Sequence, residues 1–464
     1  MKPLTKKRAG VVSKYEINMT EGPLLGKILI FSLPLMLSSM LQLLFNAADM
    51  IVVGRFVGKS ALAAVGSTTA LITLLTNLFI GFSVGTNVLV AQALGSGDDR
   101  AASDSVHTSI LFSVLCGIFL AAAGYFVSPP LLEMMGTPED VIDQASLYMR
   151  IYFAGMPVMM LYNFAYAIMR ALGDTRRPMY FLTLSGIINV ILNVFFVTQL
   201  HMGVEGVAIP TVISQAISAA LTLWCLARQE NSCRFEVKKL RIVPRTLGKI
   251  VKIGIPAGMQ GIVFSISNVL IQSSVNLFGS TTMAGNTAAQ SIESFVYVAM
   301  NAMHQTALSF TGRNYGANKP DRIMRIFWIC IAMVTVIGIV FGNAVYLAGN
   351  ILVPIYNDDP AAVACGIVRL RYICTGYCLC GIMDTIVGST RGMGRSFVPM
   401  VISLVGACGL RILWIYTIFA VDQKLEILYI SYPISWLVTA LAQAVCFAIV
   451  FRKEYGRKKV LERF

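Results

Sequence analysis

From Ile28 to Ala48 the chain carries no charged side chain, and about 20 apolar residues suffice for a helix to cross a bilayer. In hydrocarbon the backbone must satisfy its own hydrogen bonds, so this run reads as a transmembrane helix. Within it Ser38, Gln42, Asn46 and Asp49 recur at helical spacing and share one narrow face. An aspartate at membrane depth is costly to insert and turns toward a bundle interior or a watery cavity, which marks this face as functional. Pro34 removes one backbone hydrogen bond, so a helix bend is expected there.

The same stretch recurs 222 positions later: Gly26, Lys27, Ile28 and Pro34 meet Gly248, Lys249, Ile250 and Pro256. Farther on, Arg150, Gly155, Arg170, Gly173, Pro178 and Met179 meet Arg371, Gly376, Arg391, Gly394, Pro399 and Met400 at an offset of 221. Register held over such a distance makes the chain two copies of one unit.

Composition agrees with a polytopic membrane protein: 56% of residues are hydrophobic, 13% are charged, and mean hydropathy is +0.72. The net charge of +14 sits in short connections between apolar runs, a pattern of membrane topology rather than of nucleic-acid binding. The first apolar run is too long for a signal-peptide core and is expected to stay attached. The ten cysteines lie almost all in apolar runs without paired zinc spacing, and read as fillers between helices.

Charge-poor runs predict an all-α integral membrane protein of twelve transmembrane spans: 26–54, 60–94, 100–127, 143–169, 178–199, 204–227, 248–278, 282–312, 321–349, 361–390, 396–419 and 428–451. Lys and Arg gather on one side, including Arg100, the Arg170/Arg176/Arg177 group, the Arg228–Arg245 linker, Arg313, Lys319, Arg322, Arg391 and Arg395. The other side has Arg55, Lys59 and Lys424, and its loop at Leu131–Asp143 is acidic. Both termini are therefore expected in the cytoplasm. The expected organisation is a tail at 1–25, a six-helix lobe at 26–230, a basic linker at 231–247, a second six-helix lobe at 248–451 and a basic tail at 452–464. Six spans per copy make the repeats parallel, two lobes facing across a central cleft.

Polar residues inside the spans carry the functional information. Ser185, Asn189 and Asn193 form one face of span 5, at a depth matching Asp49. Gln290, Glu293, Tyr297, Asn301 and His304 form one face of span 8. Arg411 in span 11 lies near the depth of Glu293, so the two are expected to pair, and Asp384 in span 10 completes the acidic set. By the repeat, Arg411 falls opposite Val190, which puts a cation in the second lobe where the first has amides. Gln42, Glu293, Tyr297, Asn301, Asp384 and Arg411 are thus candidates for a substrate cavity or second-lobe polar network, and His107 and His304 read as hydrogen-bonded helix residues.

Gln42-(x)6-Asp49-(x)4-Gly54-Arg55, Ala61-Leu62-Ala63-Ala64-Val65-Gly66, Arg170-Ala171-Leu172-Gly173-Asp174, Gly203-Val204-Glu205-Gly206 with Thr211, and Arg391-Gly392-Met393-Gly394 together resemble the multidrug and toxic compound extrusion (MATE) family, nearest its bacterial DinF-like branch. The resemblance spans about Met19 to Phe451. It implies a two-lobed secondary transporter that expels organic, usually cationic, compounds in exchange for protons or sodium ions. It makes Asp49 the cation-coupling residue and Pro34 the bend. The branch has an aspartate where this chain has Asn193, four residues after Asn189, which leaves one carboxylate in place of two. Another branch has a glutamate in span 7, where this chain offers Gln260, Asn268, Gln272 and Asn276.

The expected function is a proton- or sodium-coupled antiporter exporting lipophilic, often cationic compounds from a bacterial cytoplasm, a monomer among membrane lipids. Asp49 would be the coupling carboxylate, with Asn46, Asn189 and Asn193 around it, and any metal ion would be Na⁺ at Asp49. No cofactor is expected. No Walker-type loop is present, and no HExxH, GxSxG or paired-aspartate site stands in a credible helix context, which argues against ATP drive and against an intramembrane enzyme. The alternative is a lipid-linked saccharide flippase of the same wider superfamily, a reading that only Arg411 favours.

Overall fold

The computed structural model describes residues 15–135 and 137–461. The basic tail residues Lys2, Lys6, Lys7, Arg8, Lys14 and Arg463 lie outside the described residues, as do the side chains of Lys59 and Asp140. The fold is all-α, with twelve spans in two lobes. Spans 1 to 3 are Leu24–Val57, Lys59–Ser96 and Asp99–Met134. Span 4 is Glu139–Ala154 continued by Met156–Leu172, and spans 5 and 6 are Arg176–Thr198 and Glu205–Ala227. In the second half, spans 7 to 9 are Pro244–Asn276, Ser280–Gly316 and Pro320–Leu347. Span 10 is Pro360–Cys374 continued by Tyr377–Gly392, span 11 is Phe397–Phe419, and span 12 is Leu425–Leu461. Span 12 runs on through the segment read as a basic tail from residue 452.

Nine of these helices are long and apolar enough, among the described residues, to cross a membrane singly, and spans 4 and 10 do so as pairs bent by 49° and 45°. Both bends fall at repeat-related glycines. A Cβ at Gly155 would sit 2.5 Å from the Val212 side chain, and one at Gly376 would sit 3.0 Å from Pro433, so spans 6 and 12 press into the breaks. Span 8 is too polar to be recognised as apolar, yet it packs against spans 1, 2, 9 and 10, so protein rather than lipid covers most of it.

The lobes meet through span 2, which lies along spans 7 and 8. Small residues permit that approach. A Cβ on Gly81 would fall 2.4 Å from the Gly258 amide, and one on Gly95 would fall 2.0 Å from the Arg313 carbonyl. Polar bridges reinforce the seam: Ser309 Oγ donates to Asn87 Oδ1 (3.1 Å) in a buried pair, and half-buried Gln92 donates from Nε2 to the Gly392 carbonyl (2.8 Å). The segment before span 1 straps this end shut, with Ile17 N donating to Gly173 O and Asn314 Nδ2 donating to Met19 O. At the same end, buried Asp174 accepts from the Arg176 and Arg177 amides (3.1 Å each) and pairs with the Arg177 side chain, anchoring span 5. Burial pushes the Asp174 carboxyl up, against the opposing pull of Arg177.

Span 1 runs as unbroken helix through Pro34, where Ser38 Oγ donates to the Pro34 carbonyl (2.7 Å). Proline removes a single hydrogen bond there, and the helix is held on both sides of it by the buried residues Phe31, Leu35 and Met36. Its irregularity comes later, in a π-helical turn at Val53–Val57 just past Asp49.

Candidate functional site

In the first lobe, spans 1 and 5 approach where Phe45 lies over Gly186; a Cβ there would sit 1.9 Å from the ring. That proximity brings Asn193 Nδ2 to Asp49 Oδ1 at 2.5 Å. The same amide group donates to Asn189 Oδ1 (3.3 Å), Asn189 Nδ2 donates to Thr211 Oγ1 (3.4 Å), and that hydroxyl donates to the Val207 carbonyl (2.9 Å). The chain of donors thus ties spans 1, 5 and 6 together. Asn193 Oδ1 is buried without a donor. Asp49 has no ion-pair partner among the described residues. Tyr148 and Tyr152 of span 4, unnoticed in the sequence, stand within electrostatic reach of it.

Two expected members stand apart. Asn46 and Gln42 are exposed, and their side chains make no hydrogen bond to another described residue, because Asp49 turns to span 5 instead of back along its own helix. Gln42 also does not line the second-lobe cavity.

That cavity, of about 720 Å³, opens between spans 2, 7, 8, 10, 11 and 12 and takes in Glu293, Tyr297, Asn301, Asp384 and Arg411. The structure corrects the expected Glu293–Arg411 pair. Glu293 is held by Arg369, with Nη2 donating to Oε1 (2.5 Å) and Nε to Oε2 (3.2 Å), while Nη1 donates to Asn286 Oδ1 (2.7 Å). Tyr429 also donates to Asn286 Oδ1 (2.9 Å). Similar depth was not enough, since Arg369 on the first half of span 10 faces span 8 directly, whereas Arg411 turns to span 12. Arg369 was visible as a charged residue within a predicted span. Arg391, assigned to a loop by its position between spans, instead lines the cavity and donates to Gln260 Oε1 (2.6 Å). Arg170 is likewise buried, its guanidinium 4.7 Å from the Tyr166 ring. His304 donates from Nδ1 to the Asp384 carbonyl (2.6 Å), and His107 accepts from the Glu236 amide (3.1 Å), as hydrogen-bonded helix residues do. No group of three or more His, Cys, Asp or Glu among the described residues is placed to hold a metal ion.

Twelve spans in two related lobes around a polar central cavity define a multi-pass membrane transporter. The MatE family profile matches residues 34–195 and again 256–417, one match per repeat, and the chain belongs to the MATE family. It is a transporter of small organic compounds, not an enzyme. Two relatives from Bacillus subtilis (strain 168) are each named a probable multidrug resistance protein. YpnP is 27% identical over 85% of this chain and 88% of its own length, and YoeA is 29% identical over 92% and 94%. Among solved structures, a MATE crystal structure in the straight conformation superposes with a TM-score of 0.89 at 21% identity, covering 96% of this chain and 99% of its own. That likeness bears on the fold.

Proposed function

We propose that this protein is a cation-coupled antiporter that exports lipophilic, often cationic organic compounds, with Asp49 as the residue that exchanges a proton or a sodium ion against cargo. The carrying observation is the Asp49–Asn193 contact in a site without a basic partner. A structural carboxylate at membrane depth normally has a cation to neutralise it, as Glu293 has Arg369. Asp49 has amides instead, and an orphaned amide oxygen lies beside it. A proton on the carboxylate or a sodium ion among these oxygens would supply the missing positive charge. Occupancy would also remove the charge that keeps the outer half of span 1 hydrated, and Pro34, where the helix lacks one hydrogen bond, is the place for it to yield and close the cleft. The names of the Bacillus relatives support drug export.

The deciding experiment uses purified protein in proteoliposomes loaded with ethidium, under an imposed proton gradient or an imposed sodium gradient. Uphill dye movement with one gradient is expected and identifies the ion; movement with neither overturns the reading. A lipid-linked saccharide flippase, the alternative, would not concentrate dye. Its one supporting observation is the Arg411 cation in the cavity, against which stands a lining that also includes Glu293 and Asp384.

We place both termini and the Arg228–Arg245 linker in the cytoplasm, from the Lys and Arg asymmetry of the connections. In intact cells, Ser232→Cys in a background without other reactive cysteines should react with an impermeant maleimide only after permeabilisation. Labelling from outside would invert the topology.

A further inference from the structure

The charged lining of the cavity does not balance. Glu293 is neutralised by Arg369, and Asp384 has Arg391 within electrostatic reach, which leaves Arg411 as a surplus cation. Arg411 is only 3% exposed. Its Nε donates to Ser435 Oγ (2.9 Å), its guanidinium carbon lies 4.1 Å from the Tyr432 ring centroid and 5.4 Å from that of Trp436, and its buried Nη2 has no hydrogen-bond partner. Such a donor is costly to leave unmet. The rings do not meet it, because they engage the face of the guanidinium, whereas its N–H groups point outward in the plane and match the oxygens of a carboxylate or phosphate. The rings therefore take the face, and the unmet donor is left on the edge. Around the cation stands an aromatic wall, with Tyr377 stacked on Trp436 at 5.4 Å and 15°. Span 11 departs from α-helix on both sides of Arg411, in π-helical turns at Leu404–Gly409 and Ile415–Phe419, a distortion frequent at functional sites.

We propose that this second-lobe cavity binds an aromatic oxyanion, with its carboxylate or phosphate on the edge of Arg411 and its ring against Tyr432, Trp436 and Tyr377. The inference rests on the reading of the chain as an exporter of small organic compounds and adds a class of cargo to it. The test is calorimetric titration of the full-length protein in detergent with four probes sharing one ring: 1-naphthoate, 1-naphthyl phosphate, 1-naphthamide and 1-naphthylmethylammonium. At least one anion should bind about tenfold more tightly than the amide, with the ammonium weakest. The two anion arms tell which oxyanion the site takes. In Arg411→Gln the preference should vanish while the amide affinity stays. Equal binding of anions and amide by the wild type, preference for the ammonium, no binding of any probe, or a preference kept in Arg411→Gln each overturns the proposal. The wild-type comparison decides alone if the variant does not fold. Ethidium efflux by the same preparation reports separately on the exporter reading, so efflux without anion preference removes this inference and leaves that reading in place.

Discussion

Asp49→Asn is expected to bring gradient-driven efflux down to the level of protein-free liposomes while leaving the protein folded. The substitution removes one charge and keeps shape, and the amide oxygen of the new side chain can still accept from Asn193 Nδ2. Folding should therefore be spared, because no ion pair is broken and no cavity opens. What disappears is the group whose charge changes during the cycle. Binding of cargo, read as ethidium fluorescence polarisation, should persist, whereas uphill transport in proteoliposomes should not. Near wild-type pumping by Asp49→Asn would move the coupling site elsewhere, with Asp384 next in line as a carboxylate lining the central cavity. Asn193→Asp makes the complementary change: it places a second carboxylate against the first, and two such groups at hydrogen-bond distance titrate as a pair. Its efflux should show a shifted pH optimum.

Arg369→Met is expected to have the largest effect on stability of any single substitution at the cavity. It strands Glu293, whose side chain is 8% exposed, without the guanidinium that neutralises it. Losing one partner of a buried ion pair costs about 3–5 kcal/mol, and here the Arg369 bond to Asn286 disappears as well. Folded yield and the thermal midpoint in detergent should both fall sharply. Glu293→Gln in the Arg369→Met background should recover much of the loss, because a neutral amide is cheaper to bury than a lone carboxylate. An Arg369→Met protein that purifies and melts like the wild type would mean the pair contributes nothing. Arg411→Gln should be milder, since it leaves no carboxylate behind.

Much of this molecule is written along the chain. Apolar runs set the number and order of the spans, an offset near 221 set the two lobes, and helical periodicity set which face of span 1 carries Asp49 and which face of span 5 carries Asn193. Depth followed as well, because rise per residue is constant along a helix. The bends in spans 4 and 10 were less legible: Gly155 and Gly376 were apparent as repeat partners, but only the neighbours pressing on them, Val212 and Pro433, turn those glycines into breaks.

What periodicity lacks is the lateral order and rotation of helices around one another. Depth alone paired Glu293 with Arg411, and tertiary packing paired it with Arg369 by setting the first half of span 10 against span 8. Arg170 and Arg391 count as loop charges along the chain, yet the fold draws them inward, since long side chains near helix ends can reach interior polar groups. The sequence by itself determined the spans, the repeat and the faces, because these depend on local spacing and on the bilayer. Only the tertiary structure decided which buried charges meet and which one is left over, because that depends on contacts between residues far apart in the chain.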